Sequence, residues 1–232
     1  RRFKEFVSAG AYEKKECWKH EFVKEGKTLT WEEALAEFRD ATGRPGPSAW
    51  QTGDYPDGQD DYPVTGVSWY EAAAYAEFAG KSLPSVHHWQ LASGINVGFN
   101  RIIFPSLLIP LSNLGGNRPE RVGSRHGLTA YGAYDMAGNV REWCSNETED
   151  GRCLRGGSWR DVANLFDFVS KAPPFDRSPQ NGFRCAVYLE KDKIPEWVFR
   201  PISRDVRDFY SEKPVSDEVF RVYKEQFSYD KI

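Results

Sequence analysis

The sequence predicts an α+β fold in which helices come first and a loop-dominated β region follows. Three observations carry that prediction. Two helix-start boxes, Thr30-Trp31-Glu32-Glu33 and Ser68-Trp69-Tyr70-Glu71, stand in the first third of the chain. From about residue 94 the helical period is lost, and short apolar runs alternate with Gly, Asn and Pro. Aromatics are heavy, with 8 Trp, 11 Tyr and 15 Phe in 232 residues, beside 20 Gly and 14 Pro. Disordered chains lack such aromatics, and simple helical bundles lack such Gly and Pro. The mixture predicts an aromatic core wrapped in long, turn-rich segments.

The elements follow in order. Arg1–Phe6 has the texture of a helix interior, so the chain is expected to be excised from something longer. In the first box the Thr30 oxygen accepts the amide three residues on, and Glu33 reaches back. Behind it Trp31, Leu35 and Phe38 recur at helical spacing, and Gly43 ends the pattern. The second box opens a stripe of Trp69, Ala72, Ala73, Ala76 and Ala79, stopped by Gly80. Small alanines permit close packing on a neighbour. Ser85 caps a third helix over 86–93, after Pro84. Strands are expected at 102–104, 107–111, 153–154 and 183–189.

After Glu190 the texture changes. Residues 190–232 carry nine basic and ten acidic side chains and are interrupted by Pro195, Pro201 and Pro214. Two parts are therefore expected: a domain over 1–189 and a charged extension or linker over 190–232, with a short helix near 217–226.

Composition excludes several partners. The 31 basic and 34 acidic side chains leave a net charge of −3. No broad positive field exists, so nucleic acid and anionic membrane are poor partners. No run approaches the roughly 18–20 apolar residues that insert into a bilayer. Cys17, Cys144, Cys153 and Cys185 make no CxxC zinc pair; they are two disulfides or four buried thiols, and the compartment stays open. His87 and His88 are adjacent and point to different sides of a helix, and His20 and His126 stand alone. Asp60-Asp61 has no acid/base partner in sequence, and no Ser-His-Asp set or phosphate-cradling glycine loop is evident.

Four segments occur in a telling order: PVTGVSWYEAAAYAEFAGKSLPS (63–85), YGAYDMAGNVREW (131–143), RGGSW (155–159) and NGFRCA (181–186). Together they resemble the formylglycine-generating enzyme, or sulfatase-modifying factor, family. The resemblance covers about residues 1–189 and implies a variant of the C-type lectin fold. The family's usual threonine-rich opening strand is missing, which implies a truncated N-terminus. Trp143 and Trp159 are expected to anchor loops, and Arg184 to satisfy buried carbonyls with its five donors.

The resemblance also sets a test of chemistry. Catalytic members carry two cysteines after the Gly-Gly-Ser-aromatic motif, which bind Cu(I) and attack a substrate cysteine. Here those positions fall on Asp161 and Phe166. A carboxylate is a poor Cu(I) ligand and a phenyl ring is none, so no copper and no catalytic residue is expected. Iron-dependent relatives such as sulfoxide synthases take three histidines from an additional helical domain.

The family binds calcium. The resemblance implies one site from the side chains of Asp135 and Glu142 with the carbonyls of Ala137, Gly138 and Val140, which together approach the oxygen count Ca²⁺ prefers. A second site would start at Asn113 and Leu114, but the later aspartate it needs is absent. The competing reading pairs Glu142 with an arginine and gives Asp135 a turn to cap.

What remains is a recognition face. Trp159, Arg160, Asp161, Asn164, Phe166, Phe168, Asp176 and Arg177 fall where relatives line a peptide groove or contact ligand. Ala substitution at Phe166 and Arg177 separates a face from a core: contacts tolerate it, and core residues do not. The segment 175–189 and the charged tail most resemble the version of this domain found in bacterial multidomain proteins that also carry a serine/threonine kinase. The expected function is a non-catalytic module of such a protein that binds or senses a peptide or small molecule, with the other domains of the same polypeptide as partners. The rivals are a metal-dependent oxidase and a structural spacer.

Overall fold

The computed structural model describes residues 1–94, 107–163, 166–203 and 213–228. The helices lie in the first part of the chain, as expected: α1 (Arg2–Ser8), α2 (Trp31–Glu37), α3 (Trp69–Phe78) and α4 (Val86–Ser93). Both capping boxes close. Thr30 accepts from the Glu33 amide and Ser68 from the Glu71 amide, and each glutamate returns a bond to the cap backbone. Ser85 accepts from the His88 amide at the start of α4. Helix α2 ends at Phe38, short of Gly43, because Phe38 leaves helical geometry and turns into the aromatic core.

A two-residue hairpin, β1 (Val23–Lys24) and β2 (Lys27–Thr28), precedes α2. The main sheet has the order β5-β4-β3-β6, with β3 (Arg141–Thr148), β4 (Gly151–Arg155), β5 (Ser170–Ala172) and β6 (Asn181–Gly182). Strands β3 and β4 run antiparallel with a register shift between Trp143 and Glu147, and β6 lies parallel to β3.

Two strand expectations fail within the described residues. Residues 107–111 form helical turns, with Pro110 inside the 3₁₀ turn Ile109–Leu111. Proline supplies the fixed φ of such a turn and withholds the amide a ladder needs. The run 183–189 pairs at one bridge, Ser82 with Ala186. Beyond it Val187 and Leu189 are exposed, and no described strand runs along the outer edge. The run 102–104 lies outside the described residues.

The core is aromatic. Trp18 stacks on Phe38 at 5.3 Å, and Phe38 stacks on Phe175 at 5.5 Å. Buried indoles donate to fixed oxygens: Trp69 to the Cys144 carbonyl, Trp143 to the Val67 carbonyl and Trp18 to the Ala11 carbonyl. A large ring thereby loses its water without leaving a donor unmet. Two guanidinium groups lie over indole faces, Arg152 over Trp69 at 3.7 Å and Arg155 over Trp89 at 4.9 Å.

The first compact unit runs from Arg1 to Ile202, past the expected boundary at residue 189. Residues 196–202 are tied to it. Asn146 donates to the Val198 and Arg200 carbonyls, the Ile202 amide donates to Glu147, and Val198 is buried. The second unit, Ser203–Ile232, contains α5 (Asp217–Gln226), capped by Ser216. Among the described residues no helix is long and apolar enough to cross a membrane.

Candidate functional site

The loops that carry the expected site residues are shaped by backbone geometry first. Asp135, Gly138 and Asn139 all have positive φ, so the 134–140 segment coils tightly before β3 begins. Gly138 admits no side chain: a Cβ there would sit 2.3 Å from the Asn113 carbonyl oxygen. That contact pins the 113–116 loop to the 135–140 loop. The Asn139 amide donates to the Asn113 carbonyl, and the Gly138 amide to the Gly156 carbonyl.

The residues expected to hold calcium therefore come together, and their carboxylates are engaged. Glu142 accepts from Arg184 at both oxygens, at 2.5 and 2.6 Å. It also accepts from the Trp89 indole at 2.7 Å. Asp135 accepts from the Gly123 amide at 2.8 Å, so it holds a turn. Burial pushes the Asp135 carboxyl above the usual carboxylate range, against the pull of that amide and of Arg184. Ala137 and Val140 are buried beside this loop. In the second loop Asn113 spends its side-chain amide on the Arg118 carbonyl and on Asn139, and Leu114 packs with Phe166 and Leu108. Its nearest acid, Glu120, is bound bidentately by Arg125 at 2.6 Å. A calcium ion fits such donors poorly, because Glu142 and Glu120 each face a guanidinium and Asp135 holds the Gly123 amide.

The two positions where catalytic relatives carry cysteine are equally committed. Asp161 binds the Arg141 guanidinium at 2.5 and 2.8 Å and accepts from the amide and hydroxyl of Ser158. Burial opposes its charge, but the bonds from Arg141 and Ser158 win and hold its carboxyl below the usual range. Phe166 is buried against Leu108 and Ala137. The four thiols offer no substitute. Burial pushes Cys153 and Cys185 up to about 11, raises Cys17, and lifts Cys144 further still. All four are free, and burial disfavours the reactive thiolate at each. Among the described residues no three His, Cys, Asp or Glu side chains converge as metal ligands.

The expected recognition face divides in two. Arg160 and Phe168 are exposed, and Trp159 is half-buried. The Trp159 indole Nε1 is shielded and meets no acceptor among the described residues. The other members turn inward. Phe166 is core, and Asp176 accepts from Ser178 and Asn181. Arg177 binds Glu71 at both oxygens, each at 2.9 Å, and donates to the carbonyls of Glu37, Arg39 and Gly46. Asn164 lies outside the described residues. Sequence reasoning missed the partnership of Arg177 with Glu71, which spans 106 residues. It also missed a cleft of about 690 Å³ lined by Trp50, Tyr55, Tyr75, Lys81, Arg121 and Phe183. No local pattern marks a cleft whose walls come from five separate segments.

This is a loop-rich α+β domain of the C-type-lectin kind, braced by arginine–carboxylate pairs. The chain belongs to the sulfatase-modifying factor family: residues 1–106 and 111–189 match the sulfatase-modifying factor enzyme 1-like domain. Over 153 residues it is 33% identical to the serine/threonine-protein kinase pkn1 of Chlamydia pneumoniae, covering 54% of this chain and 24% of the kinase. It is 32% identical to the inactive C-alpha-formylglycine-generating enzyme 2 of Bos taurus over 54% of this chain and 50% of that protein. It is 30% identical to the formylglycine-generating enzyme of Streptomyces coelicolor over 56% of this chain and 54% of the enzyme. The matched region is thus about a quarter of the kinase and about half of the other two.

Proposed function

We propose that this domain is a non-catalytic, ligand-binding module of a larger bacterial, kinase-linked protein. One observation carries the reading: the two positions of the catalytic thiols hold an aspartate locked to Arg141 and a phenylalanine built into the core. Restoring a nucleophile there would require breaking an ion pair and opening a packed cluster. A relative named as inactive and a kinase relative both fit this reading. The ligand face is assigned to the exposed Arg160 and Phe168 with the half-buried Trp159 ring. Aromatic rings and a cation suit a peptide or a small planar molecule.

The experiment has two arms. Cu(I) titration with oxygen uptake in the presence of a cysteine-containing peptide should show neither stoichiometric binding nor turnover. Turnover would overturn the reading. A thermal-shift screen with short peptides and aromatic small molecules should give hits that weaken when Trp159 or Phe168 becomes Ala. Hits unaffected by both changes would move the ligand away from this face.

A further inference from the structure

Family resemblance asks both loops for calcium, while the geometry supplies arginine. We infer that Arg184 and Arg125 are the resident cations of these loops, and that the domain holds them without calcium.

The charge argument comes first. A calcium site gathers carboxylates and carbonyls that would otherwise repel one another, and the ion cancels that repulsion. In the 134–142 loop the two nearby acids are Asp135 and Glu142. The Arg184 guanidinium sits across both oxygens of Glu142, and its Nη2 also donates to the Tyr134 carbonyl at 3.0 Å. One planar cation thus binds a carboxylate and a loop carbonyl, the same two donor types the metal would take. The third donor to Glu142 is the Trp89 indole, which a metal-bound carboxylate would not require. A bidentate guanidinium fills the face of the carboxylate that a bidentate metal needs.

The 113–120 loop repeats the arrangement. The aspartate expected there is missing, and Glu120 is clasped by Nε and Nη2 of Arg125, each at 2.6 Å. In the same loop the Asn113 side-chain amide donates to the Arg118 carbonyl and to Asn139. Amide donors pointed inward oppose a cation. In each loop one glutamate is closed by an arginine, Glu142 by Arg184 and Glu120 by Arg125, while Asp135 holds the Gly123 amide.

Arg184 differs from a metal in a way that can be measured. It cannot be removed by a chelator, and its bond to Glu142 needs no ion from solution. The wild-type chain, prepared without chelator, should carry less than about 0.1 calcium per molecule by elemental analysis. Its melting temperature should agree within about 1 °C in calcium and in EGTA, less than the 2–4 °C that 1 kcal/mol would give at this size. The variant Arg184→Gln should melt lower in EGTA and regain part of the loss in calcium, because Glu142 and Asp135 are then left uncancelled. Stoichiometric calcium in the wild type, or a rise of several degrees on adding it, overturns the inference. An Arg184→Gln variant as stable in EGTA as the wild type overturns it too. If that variant does not fold, Glu142→Gln serves: it should be destabilised equally in calcium and in EGTA, and restoration by calcium would count against the idea.

Discussion

Two buried glutamates in this chain meet arginines, and the arginines differ in what else they hold. Glu71, at the start of α3, is fully buried; one carboxylate holds the Ser68 amide, the Tyr12 hydroxyl and the Arg177 guanidinium. Glu142, at the start of β3, holds Arg184 and the Trp89 indole. Glu71 joins a helix cap to the 37–46 loop through Arg177, which also donates to three carbonyls there. Glu142 joins the start of β3 to the segment after β6 through Arg184, 42 residues on, and to α4 through Trp89. Both pairs knit distant segments; Arg177 also donates to three backbone carbonyls, and Arg184 to one, that of Tyr134. Burial of a carboxylate tolerates both arrangements, provided every oxygen finds a donor.

The contrast can be broken most sharply at Arg177. Arg177→Ala strands a wholly buried carboxylate and three carbonyls. The expected loss is about 3–5 kcal/mol, near the total stability of many domains, and urea melts should show a largely unfolded or aggregated chain. A variant with unchanged midpoint would return Arg177 to the ligand face where the sequence put it.

Phe166→Ala comes next. The ring is 3% exposed and packs on Leu108 and Ala137, and its backbone crowds Gly157. Truncation should cost about 3–4 kcal/mol through lost burial and the cavity left behind, visible as a lower denaturant midpoint at constant slope. A loss under about 1 kcal/mol would make Phe166 a surface contact.

The pair Asp161–Arg141 adds a pH signature. The folded carboxyl titrates below its ordinary 3.8, so its contribution is present above that value and fades as pH falls through the folded pKa. Asp161→Asn should cost about 1–3 kcal/mol at pH 7 and flatten the acid limb of stability below about pH 4. Asp135 should act in the opposite sense. Its raised carboxyl is strained when charged, so that strain eases as pH falls toward its folded pKa. Equal acid limbs in Asp161→Asn and wild type would remove Asp161 from the ledger of the fold.

The reach of the sequence ends where partners are distant in the chain. Helix starts were legible because a capping box is written within four residues, and both boxes form as expected. The helix over 217–226 and the short strand at 153–154 were legible for similar local reasons, whereas the partner strand over 141–148 was not. The two motif positions were readable as Asp161 and Phe166 because the motif fixes their spacing. Long-range partners were not. Arg184 was expected to serve carbonyls and Arg177 to face a ligand, yet Arg177 serves three carbonyls and Arg184 mainly a carboxylate. Nothing within ten residues of either arginine names its partner. The strand expected over 183–189 likewise depended on a neighbour, and an apolar run without one stays an extended segment.

The smallest effect tests the ligand face itself. Phe168 is 59% exposed and no ring of the core lies against it. Phe168→Ala should therefore change stability by no more than about 0.5 kcal/mol, the range of ordinary surface positions. That near-silence is what separates it from Phe166, two residues earlier on the same segment. If Phe168→Ala also lowers affinity for a screened peptide at least about tenfold, the side chain spends its apolar area on a partner and not on the fold, since tenfold corresponds to about 1.4 kcal/mol of binding. A large stability loss with unchanged binding would place Phe168 with Phe166 inside the domain, and the face would shrink to Trp159 and Arg160.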